Sequence, residues 1–273
     1  MVRALFMAAV CGVAVMLSGC ASQSEGVKGA EQEVGVSTAR GVVFEALPSG
    51  EKFAVYVPRG EAPKGGWPCI VFLNGSGECG TDGQRQLTQG LLPAVLNKPE
   101  EWPFVIVFPQ KPTSKTKWIE HKEMVKGCFD QAARAWPVDR SRVYLTGLSQ
   151  GGNGTWEIAA ASPCVFTAIA PICGFGDPAT VAPALAGCGV PVWAFHGEKD
   201  DVVKPEQTRA MVKAIAAVRG VTAAEVKQDE AKGDADGLRM TIYPDLNHGS
   251  WDRAYRDSGM AAWFLRVGMG KQK

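Results

Sequence analysis

A six-residue stretch, Gly147 to Gly152, constrains the fold of this chain more than any other part of the sequence. It reads Gly-Leu-Ser-Gln-Gly-Gly, follows the β-branched and aromatic run at 142–146, and precedes the helical pattern at 155–161. A serine with glycine two residues away on each side, between a strand and a helix, is typical of a sharp, strained turn. Larger side chains there would collide with the neighbouring strand and helix. The stretch therefore predicts a strand–turn–helix unit with Ser149 at the turn.

The segments around this unit alternate between strand-like and helix-like patterns. The runs at 69–73 and 104–108 contain no polar residue except a cysteine, which is typical of strands buried on both faces of a parallel sheet. The pattern at 205–218 is amphipathic, with Pro205 at its start and Gly220 just beyond its end, as expected for a helix. This alternation predicts an α/β fold with a mostly parallel central sheet and helices on both faces.

Four other segments have less regular sequence patterns, which nevertheless predict their local structure. Residues 41–57 alternate around a Pro-Ser-Gly turn and predict a β-hairpin. The leucines of 84–96 have helical spacing, and 250–267 predicts the last helix. The charged, Gly- and Asp-rich segment 221–237 predicts a surface excursion.

The first 19 residues have the pattern of a secretory signal peptide. Arg3 supplies a positive charge, 4–17 is apolar, and Leu-Ser-Gly-Cys follows at 17–20. This run is shorter than the roughly 20 apolar residues that cross a bilayer, which favours a cleaved signal. The last four residues resemble a bacterial lipobox, in which cleavage leaves Cys20 as a lipid-modified N-terminus; a plain signal peptide is the alternative. We therefore expect an exported protein, lipid-anchored at Cys20 to the bacterial cell envelope, in the periplasm or at the cell surface.

The rest of the sequence predicts a tether followed by one domain. Residues 20–39 are small and polar and predict a flexible tether, whereas 40–273 is long enough for a single α/β domain. The formal net charge is +1 and no basic stripe is present, so we expect no nucleic-acid partner.

Six cysteines belong to this domain: Cys69, Cys79, Cys128, Cys164, Cys173 and Cys188. An even number in an exported chain permits disulfides, but the pairing cannot be deduced from sequence. No Cys-x-x-Cys pair occurs, so zinc or redox chemistry is not indicated. Cys69 and Cys173 lie in apolar, strand-like runs, which favours buried free thiols there.

A serine nucleophile needs a general base, and the chain contains 3 histidines. His248 follows the last predicted strand, in a loop that opens a helix, and the carboxyl ends of strands are where open α/β sheets carry their chemistry. His196 also ends a strand, but it precedes an acidic turn that we expect it to shape. His121 is flanked by charged residues and precedes Ser149, which favours a solvated position. His248 is therefore the predicted base.

The acid that orients the base is expected one strand–helix unit after Ser149. Asp200 follows a strand end there and is preferred, with Asp201 second and Asp245 third. The resulting order, Ser149, Asp200 and His248, matches the Ser…Asp…His order of α/β-hydrolases and differs from that of chymotrypsin or subtilisin. An ordinary glycine turn at Ser149 would not require these partners at three independent strand ends.

The glycine-rich loop 73–78 after the first buried strand predicts backbone donors for an oxyanion, together with the amide of Gln150. With this loop the chain resembles the phospholipase/carboxylesterase and dienelactone-hydrolase-like branch of the α/β-hydrolase superfamily, which includes feruloyl and acetyl-xylan esterases. The segments that carry the resemblance are 74–78, 147–152, 196–200 and 248–251, within 41–267. The family often has His-Gly where this chain has Asn74-Gly; by position the second donor is the amide of Ser76.

The resemblance implies ester hydrolysis through an acyl-enzyme, with Asp200 as the acid and no metal or organic cofactor. The expected substrate is a small-molecule or polysaccharide-linked ester. Trp118 and Trp251 could flank the site and bind sugar or aromatic groups, although packing roles are an equal alternative. A serine peptidase is the second possibility, because peptidases share the fold. A catalytically inactive surface binding module is the third.

Overall fold

The apolar strand runs pair into one eight-stranded sheet. The computed structural model describes residues 37–221 and 237–269. The strands are β1 (Gly41–Ala46), β2 (Lys52–Val57), β3 (Trp67–Leu73), β4 (Val105–Pro109), β5 (Val138–Leu148), β6 (Ala168–Ile172), β7 (Val192–Gly197) and β8 (Leu238–Tyr243). Their order is β1-β2-β4-β3-β5-β6-β7-β8. The pairs β1–β2 and β2–β4 are antiparallel and all the others are parallel. The predicted mostly parallel sheet is confirmed.

Seven α-helices in the described part of the chain cover the two faces of the sheet. They are α1 (Leu91–Asn97), α2 (Lys122–Ala135), α3 (Gln150–Ala161), α4 (Pro178–Gly187), α5 (Pro205–Arg219), α6 (Trp251–Asp257) and α7 (Met260–Met269). Helices α2, α3, α4 and α5 pack into one hydrophobic core, and α1, α6 and α7 pack into another. The prediction of helices on both faces is therefore also confirmed.

Strand β3 shows why the central strands contain so few polar residues. Cys69, Val71 and Leu73 contact the first core, whereas Ile70 and Phe72 contact the second. Successive side chains of a strand point to opposite faces, so a strand covered by helices on both sides must be apolar at every position.

Two helices predicted as continuous are interrupted in the structure. Residues 84–96 form a 3-10 turn at Arg85–Leu87 and then helix α1, because Gly90 has a φ of 72° and interrupts the helical path. The predicted helix 250–267 is divided into α6 and α7 at Gly259, whose φ is 74°. Leucine spacing predicts a helical face but does not reveal a glycine that adopts positive φ.

Helix α4 was not predicted. Its start is nevertheless encoded in Asp177-Pro178: the Asp177 side chain accepts a hydrogen bond from the Ala179 amide, and Pro178 occupies the first turn. An acidic N-cap followed by proline is a known helix start. The predicted β-hairpin is present as β1 and β2.

Cys164 and Cys188 form a disulfide that links the segment after α3 to the end of α4. Cys69, Cys79, Cys128 and Cys173 are free, and Cys69 and Cys173 are buried as predicted.

The predicted signal peptide 1–19, nearly all of the predicted tether 20–39, and most of the predicted surface excursion lie outside the described residues. Within residues 37–221 and 237–269, no helix has the length and apolar character needed to cross a membrane.

Candidate active site

The turn at Ser149 joins β5 directly to α3. Ser149 has a φ of 55°, a strained conformation for a residue other than glycine, and its amide donates to the carbonyl of Ile172 at 3.0 Å. A side chain at Gly147 or Gly151 would collide with the backbone at Leu73, the last residue of β3. The glycines are therefore required by the close approach of β3, β5 and α3, which holds the serine in its strained turn.

Three predicted side chains meet at this turn. Ser149 Oγ lies 2.9 Å from His248 Nε2, and His248 Nδ1 lies 2.7 Å from Asp200 Oδ2. Because a carboxylate only accepts, Nδ1 carries a proton and Nε2 is left to accept from the serine hydroxyl. Of the three acids considered, Asp200 is the one bonded to His248; Asp201 is exposed, and Asp245 pairs with Arg253.

Asp200 is held by further donors. The amides of Val202 and Val203 each donate to Asp200 Oδ1 at 2.9 Å. Burial by itself would raise the pKa of Asp200, but the hydrogen bonds from His248 and these two amides outweigh burial and lower it. The carboxylate therefore remains ionised and can stabilise positive charge on the imidazole.

His196 lies on the other side of the same carboxylate. It is fully buried, with Nε2 2.8 Å from the Val203 carbonyl and 3.1 Å from Asp200 Oδ2, and Nδ1 2.8 Å from Thr208 Oγ1. Burial lowers the pKa of His196. Its contacts agree with the predicted role of shaping the turn that carries Asp200.

His121 is more buried than predicted. Its Nε2 lies 2.8 Å from Thr116 Oγ1, and its pKa is lowered by partial burial and by the nearby Lys111 ammonium. It is therefore half-buried and part of a hydrogen-bonded loop, so it is less exposed than the solvated position that the sequence favoured.

The loop after β3 is fixed by Asn74. This buried side chain donates to the Gly75 carbonyl at 2.6 Å and accepts from the Lys111 amide at 3.3 Å. The indole of Trp118 donates to the Asn74 carbonyl at 3.0 Å. Asn74 therefore ties the loop after β3 to the segment that begins at Lys111.

The two predicted oxyanion donors begin helical turns. Ser76 starts the 3-10 turn Ser76–Glu78, and Gln150 starts α3. The first amides of a helical turn have no partner within it, so they are available to an anion. Both turns follow the carboxyl ends of neighbouring strands, since β3 and β5 are paired up to Leu73 and Gly147.

The two predicted substrate-binding tryptophans differ in exposure. Trp118 is fully buried and packs against Gly154, and it also lines a cavity of about 190 Å³ beside Gln150. Its burial and its hydrogen bond to the Asn74 carbonyl favour the packing alternative, in which Trp118 positions the Asn74 loop. Trp251 is partly exposed and its ring meets that of His248 edge-on, with 5.5 Å between centroids. Trp251 is thus placed beside the site.

Two residues near the site were not assigned to it from the sequence. Lys111 is fully buried, and its Nζ lies 2.6 Å from Gln150 Oε1. Cys173 follows β6 with a φ of 40°, and its Sγ lies within 4.8 Å of ligand atoms of Asp200 and His248. Cys173, Asp200 and His248 are of residue types that bind metal ions, but Asp200 and His248 already hydrogen-bond to each other. The sequence carries no signal that places either Lys111 or Cys173 beside the site, because that position depends on neighbours from distant segments.

The chain matches no protein-family model. A segment of 114 residues, 40% of the chain, is 30% identical to the bifunctional acetylxylan esterase/xylanase XynS20E of Neocallimastix patriciarum and spans 16% of that enzyme's length. Among solved structures, a thermostable esterase is 26% identical with a TM-score of 0.63; the match covers 82% of this chain and 62% of that one.

The feruloyl esterase module from Clostridium thermocellum, solved with sinapinate, is 15% identical with a TM-score of 0.61, covering 86% of this chain and 91% of that one. Peptidases also occur among chains with this architecture. The eight-stranded, mostly parallel sheet with helices on both faces is therefore the α/β-hydrolase fold. Structural neighbours of this chain include esterases and a dienelactone-hydrolase-like protein.

Proposed function

We propose that this protein is a serine hydrolase that cleaves carboxylic esters through an acyl-enzyme. The observation that carries the proposal is the continuous hydrogen-bond chain from Ser149 through His248 to Asp200, at three strand ends of an α/β-hydrolase fold. A nucleophile, a base and an orienting acid in this arrangement are the parts that acyl transfer requires.

In the first step, Ser149 Oγ attacks the ester carbonyl while His248 Nε2 takes its proton. The carbonyl oxygen becomes an oxyanion, which the amides of Ser76 and Gln150 stabilise by hydrogen bonding. Asp200 accepts from Nδ1 throughout, so it maintains the required tautomer and stabilises the imidazolium.

The tetrahedral intermediate then collapses, and His248 delivers its proton to the departing alkoxide. The acyl group remains on Ser149. In the second half-reaction His248 takes a proton from water, the hydroxide attacks the acyl carbon, and the serine oxygen leaves with that proton. Carboxylic acid and alcohol are the products, and no external cofactor enters the balance.

The proposed substrates are carbohydrate-linked or aromatic esters. Two similarities support this class: the acetylxylan esterase/xylanase that shares a 114-residue segment, and the feruloyl esterase module that shares the fold. The partly exposed Trp251 beside His248 supplies an aromatic surface suited to a sugar or a phenyl group.

A serine peptidase is the second candidate, because peptidases share this fold. The two activities are separated by comparing 4-nitrophenyl acetate, methyl ferulate and peptide anilides. Faster cleavage of the anilides would favour the peptidase.

We also propose that the protein is exported and lipid-anchored at Cys20. The sequence Leu-Ser-Gly-Cys at 17–20 supports this location. The Cys164–Cys188 disulfide also supports it, because such bonds persist in oxidising compartments outside the cytoplasm. Radiolabelled palmitate incorporation into wild-type protein, but not Cys20→Ala protein, tests the anchor.

Fluorophosphonate labelling of full-length protein, combined with an ester assay, tests the catalytic proposal. Ser149→Ala should abolish labelling and ester hydrolysis. Ser162→Ala, at the other end of α3, is the matched control and should retain both. Wild-type activity in the Ser149 variant would overturn the proposal, and a wild-type protein that takes up no label would point to an inactive binding module.

A further inference from the structure

A cavity of about 190 Å³ opens beside the turn that carries Ser149. Its walls come from the segment after β4, the first turn of α3, and the segment after β6, represented by Lys111, Gln150 and Phe175. All three segments follow the carboxyl ends of parallel strands, the edge at which ligands bind in open α/β sheets. The cavity is therefore part of the same edge of the sheet as the candidate site.

Lys111 is a buried cation in the wall of this cavity. Its side chain donates to two neutral oxygens, the Thr116 carbonyl at 2.5 Å and Gln150 Oε1 at 2.6 Å. Within residues 37–221 and 237–269, no carboxylate forms an ion pair with it. Burial lowers the pKa of Lys111. Buried charges in proteins are normally paired, so a buried ammonium with neutral partners leaves a place for an external anion.

Two more lysines line the cavity. Lys115 is exposed, and Lys117 is exposed with its Nζ 3.3 Å from Glu157. The other nearby acid, Glu120, accepts a hydrogen bond from the Lys117 amide. Three cations thus face two carboxylates, and the amino end of α3 adds further positive potential. The cavity is therefore positive as a whole.

Gln150 connects the cavity to the proposed chemistry. Its amide is the one assigned to the oxyanion, while its side chain accepts from Lys111 and donates to the Ser114 carbonyl at 3.1 Å. A ligand in the cavity would contact Gln150, the residue that directly follows the proposed nucleophile Ser149. Lys111 has three N–H donors, and its contacts with Thr116 and Gln150 account for two of them.

We propose that the cavity binds an anionic group, a carboxylate or a sulfo group, carried by the ester substrate. This inference rests on the proposed esterase function and deepens it by naming a substrate class: esters that bear a negative charge close to the scissile bond. Charge-assisted hydrogen bonds to such a group would raise kcat/KM by roughly 10-fold or more over a neutral isostere.

Matched substrate pairs test the preference on both sides of the ester bond. On the alcohol side, 4-acetoxybenzoate and 4-acetoxybenzenesulfonate are compared with neutral 4-acetoxybenzamide. On the acyl side, mono-4-nitrophenyl adipate is compared with its methyl ester. We expect full-length wild-type protein to prefer the charged member of at least one pair, and the two charged benzene derivatives distinguish carboxylate from sulfonate.

The double variant Lys115→Gln/Lys117→Gln should reduce this preference, since both positions are exposed and the substitutions are compatible with folding. Lys64→Gln, an exposed lysine before β3 at the opposite edge of the sheet, is the matched control and should leave the preference unchanged. Equal kcat/KM within each pair, or an unchanged preference in the double variant, would overturn the inference.

The two proposals fail in different ways. If the neutral esters are cleaved with dependence on Ser149 but no charged ester is preferred, the esterase proposal stands and the cavity inference is wrong. If no ester is cleaved, calorimetric titration of full-length protein with 4-hydroxybenzoate and 4-hydroxybenzenesulfonate decides the cavity separately. Saturable binding that the double variant weakens would support the anion site, and the absence of binding would overturn it.

Discussion

His248 Nε2 lies 2.9 Å from Ser149 Oγ, although 99 residues separate them in the chain. The contact arises because β5 and β8 end at the same edge of one parallel sheet, so the loops that follow them converge. Ser149 is strained and almost buried, while His248 is half-buried and bonded on its other side to Asp200. The position of each group is therefore set by the sheet, and this allows specific predictions.

Asp200→Asn should lower kcat for ester hydrolysis by about 10³- to 10⁴-fold with a small effect on KM, because an amide no longer enforces the Nδ1–H tautomer of His248. Asp201→Asn is the matched control at the exposed neighbouring position and should retain activity. Steady-state kinetics on both variants make the comparison. If Asp201→Asn loses activity and Asp200→Asn does not, the acid that orients His248 is Asp201 and the assignment of Asp200 is wrong.

The lowered pKa of Asp200 predicts loss of stability in acid. Because the folded pKa lies below the unfolded value of about 3.9, the unfolded chain takes up a proton first, and the free energy of unfolding falls as pH drops through this range. Above the unfolded pKa the contribution is fully present. Urea unfolding at several pH values should show a shallower acid decline in Asp200→Asn than in wild type. Parallel declines would contradict this.

Gly151→Ala should destabilise the fold by roughly 1–3 kcal/mol, because the new methyl group would collide with the Leu73 carbonyl. Gly187→Ala is a suitable control: it also lies in a helix, its added methyl meets no atom within 4 Å, and its effect should be small. Chemical denaturation of the two variants gives the comparison. Equal stability would mean that β3 can move away from α3.

Replacing Cys164 and Cys188 with serine should lower the free energy of unfolding by about 2–4 kcal/mol, since the bond closes a loop with a sequence separation of 24. Cys79→Ser, at a free and partly exposed thiol, is the control and should have a smaller effect. Denaturation with and without dithiothreitol measures both. If the reductant destabilises the wild type but not Cys79→Ser, the disulfide involves Cys79 and the assigned pairing is wrong.

Much of the architecture was predictable because it depends on local pattern. The apolar runs of β3 and β4 required burial on both faces, and Pro205 and Gly220 matched the start and end of α5. The two helix predictions that were wrong involved glycines whose conformation depends on context: Gly90 and Gly259 interrupt helical patterns with positive φ.

The role of Trp118 could not be decided from the sequence for a different reason. A tryptophan in a polar loop could equally face substrate or the protein interior, and its burial against Gly154 and Asn74 depends on how α3 packs on the loop. Lys111 is the converse: in the sequence it is an ordinary polar residue, and in the structure it is a buried cation.

The sequence by itself determined the fold class, the turn at Ser149 and the choice of His248. Apolar runs indicate buried strands, the spacing of glycines indicates the turn, and the small number of histidines limits the choice of base. Only the tertiary structure decided which of three acids bonds to His248, which tryptophan is open to solvent, and which cysteines pair. These properties depend on distances between strand ends and on burial, and both arise when segments far apart in the chain are brought together by the sheet.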